Sequence, residues 1–399
     1  MEDTTSKRAP FSISAYSLSA SERFNPAEKI RQQIINKLSA NAEAILVRDP
    51  VVDTRCPLTS DIDLLVFRKA EGLLPERLSL PEFPDAPMID VIWLSINALS
   101  DPESFAQCGL LPHRLLSSEI FYDKEGFVTN KLEVVQKKMF QSDIHSRRIA
   151  GFFKLAGDTV REIGITWDFP PMAMFWLHMA YTACLAAMHD GLRSYCPNIY
   201  TRPFDYLPSI EEKTRVEIKN SFIRDLHLDY DPYCLIAPLK NIHMTVSSRF
   251  PEPQWPENMR EDTRYEYRYF ISEEELNWRI SVAEEMTARG NPYAAVYYLR
   301  FWAYALSRIP MVYHRANEGI DVSFLRPERA ILPDLKKNCP EILDDLTAIL
   351  SGRNRLTVKD VTHGIDMLST LRAKALDFLA SQGVELTELP EWKPFQLRL

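Results

Sequence analysis

The sequence predicts an α+β protein: a small mixed sheet, followed by a largely α-helical region of one or two bundles. Three observations carry this. Three short apolar runs lie between proline-rich loops before residue 100, as strands do. After Leu132 the apolar spacing becomes helical and stays so. Glycine is scarce (12) beside 27 prolines, a balance that fits helices joined by stiff loops better than a glycine-rich phosphate cleft.

The elements read in order as follows. "MEDTTSKRAPFSISAYSLSA" has no apolar segment of the kind a signal peptide carries, and residues 1–19 are expected to form a loose tail. Asn25 and Pro26 open a helix as cap and first-turn residue, with Glu28 in the capping-box position and Ile30, Ile34 and Leu38 at helical spacing. "AILV" (Ala44–Val47), "DIDLLVF" (Asp61–Phe67) and "MIDVIWL" (Met88–Leu94) are the strand runs, and "EIFYDKEG" (Glu119–Gly126) is a further apolar stretch ending in a turn. Residues 20–130 therefore form one α+β domain.

Beyond it, helices are predicted over 146–165, 170–191, 210–226, 272–289, 292–309, 340–350 and 357–382. Ser272 and Glu275 form a capping box, with Gly290 in the stop position. The prolines of "FPEPQWPENM" mark a boundary, giving a helical domain at 131–250 and a second at 251–399. "PPMAMFWLHMAYTACLAAM…TRPFDYLP" and "NPYAAVYYLRFWAYALSRI…LRPERAILP" share a proline-initiated aromatic helix, an Arg-Pro and a Leu-Pro. Either a duplicated bundle or a chance echo produces that pattern. The apolar run Met172–Met188 is short for a membrane span and reads as a core helix.

A chain of 399 residues exceeds one ordinary core. Its formal net charge of -8 disfavours a general nucleic-acid binder, whose footprint is basic. Six scattered cysteines without metal spacing fit reduced thiols in the cytoplasm.

The chemistry-bearing residues are three aspartates. On a strand, Asp61 and Asp63 share a face roughly 6.6 Å apart, while Ile62 and Leu64 point into a core. Two carboxylates so placed can serve a pair of divalent cations, typically ~3.5–4 Å apart. Hard oxygens on a rigid strand suit Mg²⁺, which completes its shell with water and substrate phosphate. Asp90 is the lone charge in "MIDVIWL", and an unpaired charge in a core is costly. On a strand next to Asp61–Phe67 it would join the same cluster. Solvated aspartates on an edge strand are the plainer alternative.

"AILV…SDIDLLVF…MIDVIWL" resembles the nucleotidyltransferase superfamily related to DNA polymerase beta, in its small prokaryotic-type form, over about residues 20–130. The resemblance implies transfer of a nucleoside monophosphate from a nucleoside triphosphate, with ATP expected, to a hydroxyl. It implies Mg²⁺ held by Asp61, Asp63 and Asp90, which are both the catalytic and the metal residues, and it implies the helical C-terminal region. The sequence departs from the family where a Gly-Ser pair usually holds the triphosphate: Arg48-Asp49-Pro50 follows "AILV". Arg48 or Arg55 would then supply charge-assisted contacts. Ser60, and Lys154 on the first long helix, complete the expected nucleotide contacts.

A small-molecule acceptor in the manner of aminoglycoside-modifying enzymes is expected, bound between the sheet domain and the first helices. No membrane partner is expected, and no polynucleotide, although a tRNA or protein acceptor stays open. The alternative is a non-catalytic relative acting as a binding or regulatory module. Arg147 and Arg148 are weaker triphosphate candidates, and Lys154 itself could equally be a surface lysine. "DLHLDYDPY" alternates His and Asp but lacks a further ligand in metal spacing. "RYEYRYF" (Arg264–Phe270) interleaves basic and aromatic residues with period two, which reads as an edge strand or extended crossover before a base-stacking surface. His178 reads as a core histidine, and His189-Asp190 and His314-Arg315 as loop-proximal pairs without a specific signal.

Overall fold

A computed structural model describes residues 27–48, 62–70, 74–78, 80, 89–193, 199, 204, 212–320, 331–351 and 356–386. Within them the strands Ala44–Val47 (β1), Ile62–Arg68 (β2), Leu74–Leu78 (β3), Ile89–Ser95 (β4) and Glu119–Asp123 (β5) join in the order β3-β4-β2-β1-β5. β2 and β4 run parallel, and the other pairs are antiparallel. The sheet is therefore mixed, and the remaining described elements are helical, which is the α+β class the sequence predicts.

The strands form where the apolar runs lie, because alternate residues can enter one core. Ile45, Val47, Ile62, Leu64, Val66, Ile89, Val91 and Trp93 are buried together with Ile34 and Leu38 of the helix Ala27–Leu38 (α1). One strand was not predicted. β3 reads Leu-Pro-Glu-Arg-Leu, and its proline and two charges hide it from a pattern of apolar alternation. It stands at the sheet edge, where a proline can be tolerated because the ladder needs fewer donors there. After β5, Lys124–Gly126 form a 3₁₀ turn with positive φ at Glu125 and Gly126. Asp123 closes that turn by accepting from the backbone N–H groups of Val128 (3.0 Å) and Thr129 (2.8 Å), capping the helix Phe127–Met139.

The chain divides into two units, Met1–Pro102 with His113–Val134, and Glu103–Pro112 with Val135–Leu399. The short helices Pro102–Ala106 (α2) and Leu111–Leu116 (α3), and Phe127–Met139 (α4), contain the points where the chain passes from one unit to the other. The second unit continues with Ser142–Ile165 (α5), Pro170–Gly191 (α6), Glu212–Asp225 (α7), Tyr233–Arg249 (α8), Glu261–Ile271 (α9), Glu273–Ala288 (α10), Pro292–Asn317 (α11), Ile331–Asn338 (α12), Leu343–Ser351 (α13) and Val358–Ser381 (α14). One hydrophobic core runs from Ile149 to Leu379, through residues before and after 250.

α6 is long and apolar enough to cross a membrane, yet almost all of it is buried in this core. A Cβ at Gly364 of α14 would lie 2.2 Å from Leu177 Cδ2 of α6, so any larger residue there requires that leucine side chain to shift. Tyr181 donates to the Gly364 carbonyl there (3.3 Å). α6 and α11 both start at proline, the shared feature of the two echoing segments, while Arg202 and Arg326 lie outside the described residues. Ser272 caps α10 by accepting from the Glu275 N–H (3.3 Å), and Gly290 follows its end with φ 79°.

One charged position differs from the expectation. Arg148 is fully buried and engages Asp190 through Nε (2.9 Å) and Nη2 (2.8 Å), while its Nη1 donates to the Ala106 and Met139 carbonyls (2.7 and 2.8 Å). It holds the second unit together and is not available to a triphosphate. Asp190 lies in the last turn of α6, next to the loop as the sequence predicts, and His145 Nε2 lies 2.9 Å from its carbonyl. "RYEYRYF" is part of α9 and not an extended segment: Thr263, Tyr267 and Phe270 are buried at helical spacing. The core's demand for that stripe overrides the period-two pattern. Arg268 pairs with Glu252 (2.7 Å), and Tyr267 donates to the Phe250 carbonyl (2.8 Å), so packing absorbs both residue types.

Replacing Arg148 by alanine leaves Asp190 buried without its partner. The expected loss is about 3–5 kcal/mol, read as a shifted denaturant midpoint; a loss below about 1 kcal/mol would show that the pair is dispensable. A second expectation concerns Glu266 on α9, whose carboxyl is pushed up from 4.5 to about 7, first by burial and then by Asp262 one turn away. The folded chain therefore binds this proton more tightly than the unfolded chain, and the associated stability is lost as pH rises from 4.5 through about 7. Glu266→Gln should exceed the parent in stability at pH 8 and approach it in acid. Urea midpoints differing by the same amount throughout that range would contradict this.

Candidate functional site

The parallel pairing of β2 on β4 sets Asp63 opposite Asp90, residue for residue. Register partners project to the same face of a sheet, and adjacent strands lie ~4.8 Å apart, so the two carboxylates are neighbours. Their burial follows from the strand pattern: Ile62, Leu64, Ile89 and Val91 face the core, while Asp63 and Asp90 are half-buried on the opposite face.

Each carboxylate meets a guanidinium. Arg48 follows β1, donates its backbone N–H to the Asp63 carbonyl (2.8 Å), and places Nη2 2.8 Å from Asp63 Oδ2. Arg77 of β3 is the register partner of Asp90 and donates to Asp90 Oδ1 from Nε (3.0 Å) and Nη2 (2.7 Å). Arg77 carries no signal in the sequence, since it lies in the strand that apolar alternation does not find. Antiparallel pairing to a strand bearing an aspartate is what makes it part of the site.

Asp61, Arg55 and Ser60 lie outside the described residues. Lys154 is exposed on α5, in the second unit. Arg147 is exposed and paired with Asp143 (2.6 Å). In "DLHLDYDPY", Asp225 is buried against Arg224 (2.9 Å) and Asp231 accepts from the Tyr233 N–H (3.0 Å). No group of three or more His, Cys, Asp or Glu residues suited to a metal occurs among the described residues. His178 is buried, stacked on Tyr297 at 3.9 Å between ring centroids.

The donor chemistry of the Asp63–Asp90 pair fits Mg²⁺. That ion takes one or two carboxylates from a protein and the rest of its octahedron from water and phosphate oxygens. The arginines bring formal neutrality to the pair, so a cation binding there has to compete with them.

No protein-family model and no curated protein matches this chain. Among solved structures it is similar to a nucleotidyltransferase-like protein from Exiguobacterium sibiricum 255-15, at 13% identity over 66% of this chain and 91% of that one, with a TM-score of 0.28. At that score the likeness carries no assignment.

Arg77 and Asp90 are 25% and 16% exposed, so screening limits what their ion pair contributes. A double-mutant cycle with Arg77→Gln and Asp90→Asn should give a coupling of about 1 kcal/mol. Additive effects of the two changes would mean that the contact has no energetic role.

Proposed function

We infer that the chain is a Mg²⁺-dependent nucleotidyltransferase that moves a nucleoside monophosphate from a triphosphate, ATP foremost, to a hydroxyl of a small molecule. The observation that carries this reading is the placement of Asp63 beside Asp90 on adjacent parallel strands. Asp61, two residues before Asp63, is the third carboxylate of the proposed set. The net charge of -8 supports a compact acceptor over a polynucleotide.

When bound, Mg²⁺ supplies positive charge against the phosphate oxygens. The chain's own residues do the rest. Asp63 and Asp90 provide the anchoring oxygens on rigid strands. Asp90 takes the proton of the acceptor hydroxyl as its oxygen bonds to the α-phosphorus; the α–β anhydride bond breaks, and pyrophosphate leaves with the electron pair.

A second reading, a non-catalytic binding or regulatory module, is favoured by a specific observation. Both described carboxylates already have guanidinium partners, and Arg48 stands where a relative would place Gly-Ser. Thermal shifts with the four nucleoside triphosphates, with and without Mg²⁺, separate the readings. A triphosphate-specific, metal-dependent rise in melting temperature is expected, as is loss of turnover in Asp63→Asn with folding retained. Full turnover in Asp63→Asn, or no shift with any triphosphate, would remove the enzymatic reading.

A further inference from the structure

Four charged side chains stand in one line across the sheet, three on strands and one directly after β1. Arg77 of β3 is the register partner of Asp90 of β4, and Asp90 is the register partner of Asp63 of β2. Arg48, continuing β1, is hydrogen-bonded through its backbone to Asp63. Register partners share a face, so the line reads Arg77, Asp90, Asp63, Arg48 on one side of the sheet. Its formal charges run plus, minus, minus, plus. Both guanidiniums lie within 2.8 Å of a carboxylate oxygen while retaining 21–25% exposure, which leaves them room to move outward.

We propose that Arg48 and Arg77 are exchangeable counter-cations: they hold Asp63 and Asp90 in the metal-free chain and pass to the phosphates of an incoming metal–triphosphate complex. This rests on the nucleotidyl-transfer reading above. A bare divalent ion entering the line meets two aspartates already neutralised and two guanidiniums that repel it. A triphosphate changes this, because it brings its own anionic oxygens, and guanidinium matches phosphate as well as it matches carboxylate. The arginines then release the aspartates to the ion without losing an anionic partner. Metal and triphosphate therefore bind as a coupled pair, and by linkage each tightens the other by the same factor. The arginines thus replace, as mobile side chains, the fixed Gly-Ser cradle that is missing after β1.

The test is direct binding of Mn²⁺, followed by the loss of its free electron paramagnetic resonance signal, with and without a non-hydrolysable ATP analogue. The full chain is compared with Arg48→Gln, Arg77→Gln, the double variant and Asp63→Asn. In the parent, the analogue should tighten Mn²⁺ about ten-fold or more. In the double variant, Mn²⁺ alone should bind about ten-fold tighter than in the parent, and the coupling to the analogue should shrink toward unity. Opposite effects on bare metal and on nucleotide are the signature, because a merely structural arginine would weaken both.

If the parent binds Mn²⁺ with the analogue and Asp63→Asn does not, but the arginine variants bind bare Mn²⁺ as the parent does, the exchange is wrong and the enzymatic reading stands. If no chain binds Mn²⁺ under either condition, the enzymatic reading fails and the exchange with it. Should the double variant not fold by circular dichroism, the coupling in the parent decides alone: a ratio near one overturns the proposal.

Discussion

The pairing of β2 on β4 is the constraint on which the rest of the site depends. Parallel register sets two aspartates abreast, and two unit charges ~5 Å apart at an effective dielectric of ~20 repel by about 3 kcal/mol. A slip of one residue would relieve that repulsion by turning one carboxylate into the core beside Leu64 and Val91, at far greater cost. The buried face therefore fixes the register, and the register fixes the charge problem. The sheet meets it with an arginine on either side, one directly after β1 and one from β3.

The helical unit uses arginine differently, as a fixed interior donor. Arg148 neutralises Asp190 and serves two carbonyls, and Arg300 donates to the carbonyls of Leu226 and His227 (both 2.8 Å) just after α7. His227 has φ 50°, a left-handed conformation usually left to glycine at a helix end. Arg300, fully buried in α11, satisfies the carbonyls of that turn and ties α7 to the central helix. These arginines are nearly or wholly shielded, whereas those on the sheet are partly exposed. That contrast separates structural guanidiniums from ones able to exchange partners.

What could be read from the sequence, and what could not, divides along the same physical line. Apolar runs and periodicity located β1, β2 and β4 and the helices α5, α6, α10, α11 and α14, because the apolar residues of each enter a core. It also singled out Asp63 and Asp90, because a charge inside an apolar run is conspicuous. It missed β3, where proline and two charges interrupt alternation, and with it Arg77, whose role depends on which strand lies alongside. It misread Arg264–Phe270, where tertiary packing of Thr263, Tyr267 and Phe270 selects a helix over the alternation of basic and aromatic residues. It offered Arg148 as a ligand contact because burial of a guanidinium against an aspartate 42 positions away leaves no local trace.

The most direct measurement is a crystal structure of the chain with Mn²⁺ and a non-hydrolysable ATP analogue, with the ion located by anomalous scattering. The expected result is a peak at inner-sphere distance, ~2.1 Å, from an oxygen of Asp63 and an oxygen of Asp90, with the Arg48 and Arg77 guanidiniums on phosphate. A map with no peak at the aspartate pair, and both guanidiniums still on the carboxylates while the analogue binds elsewhere, would contradict the proposed metal site at this pair.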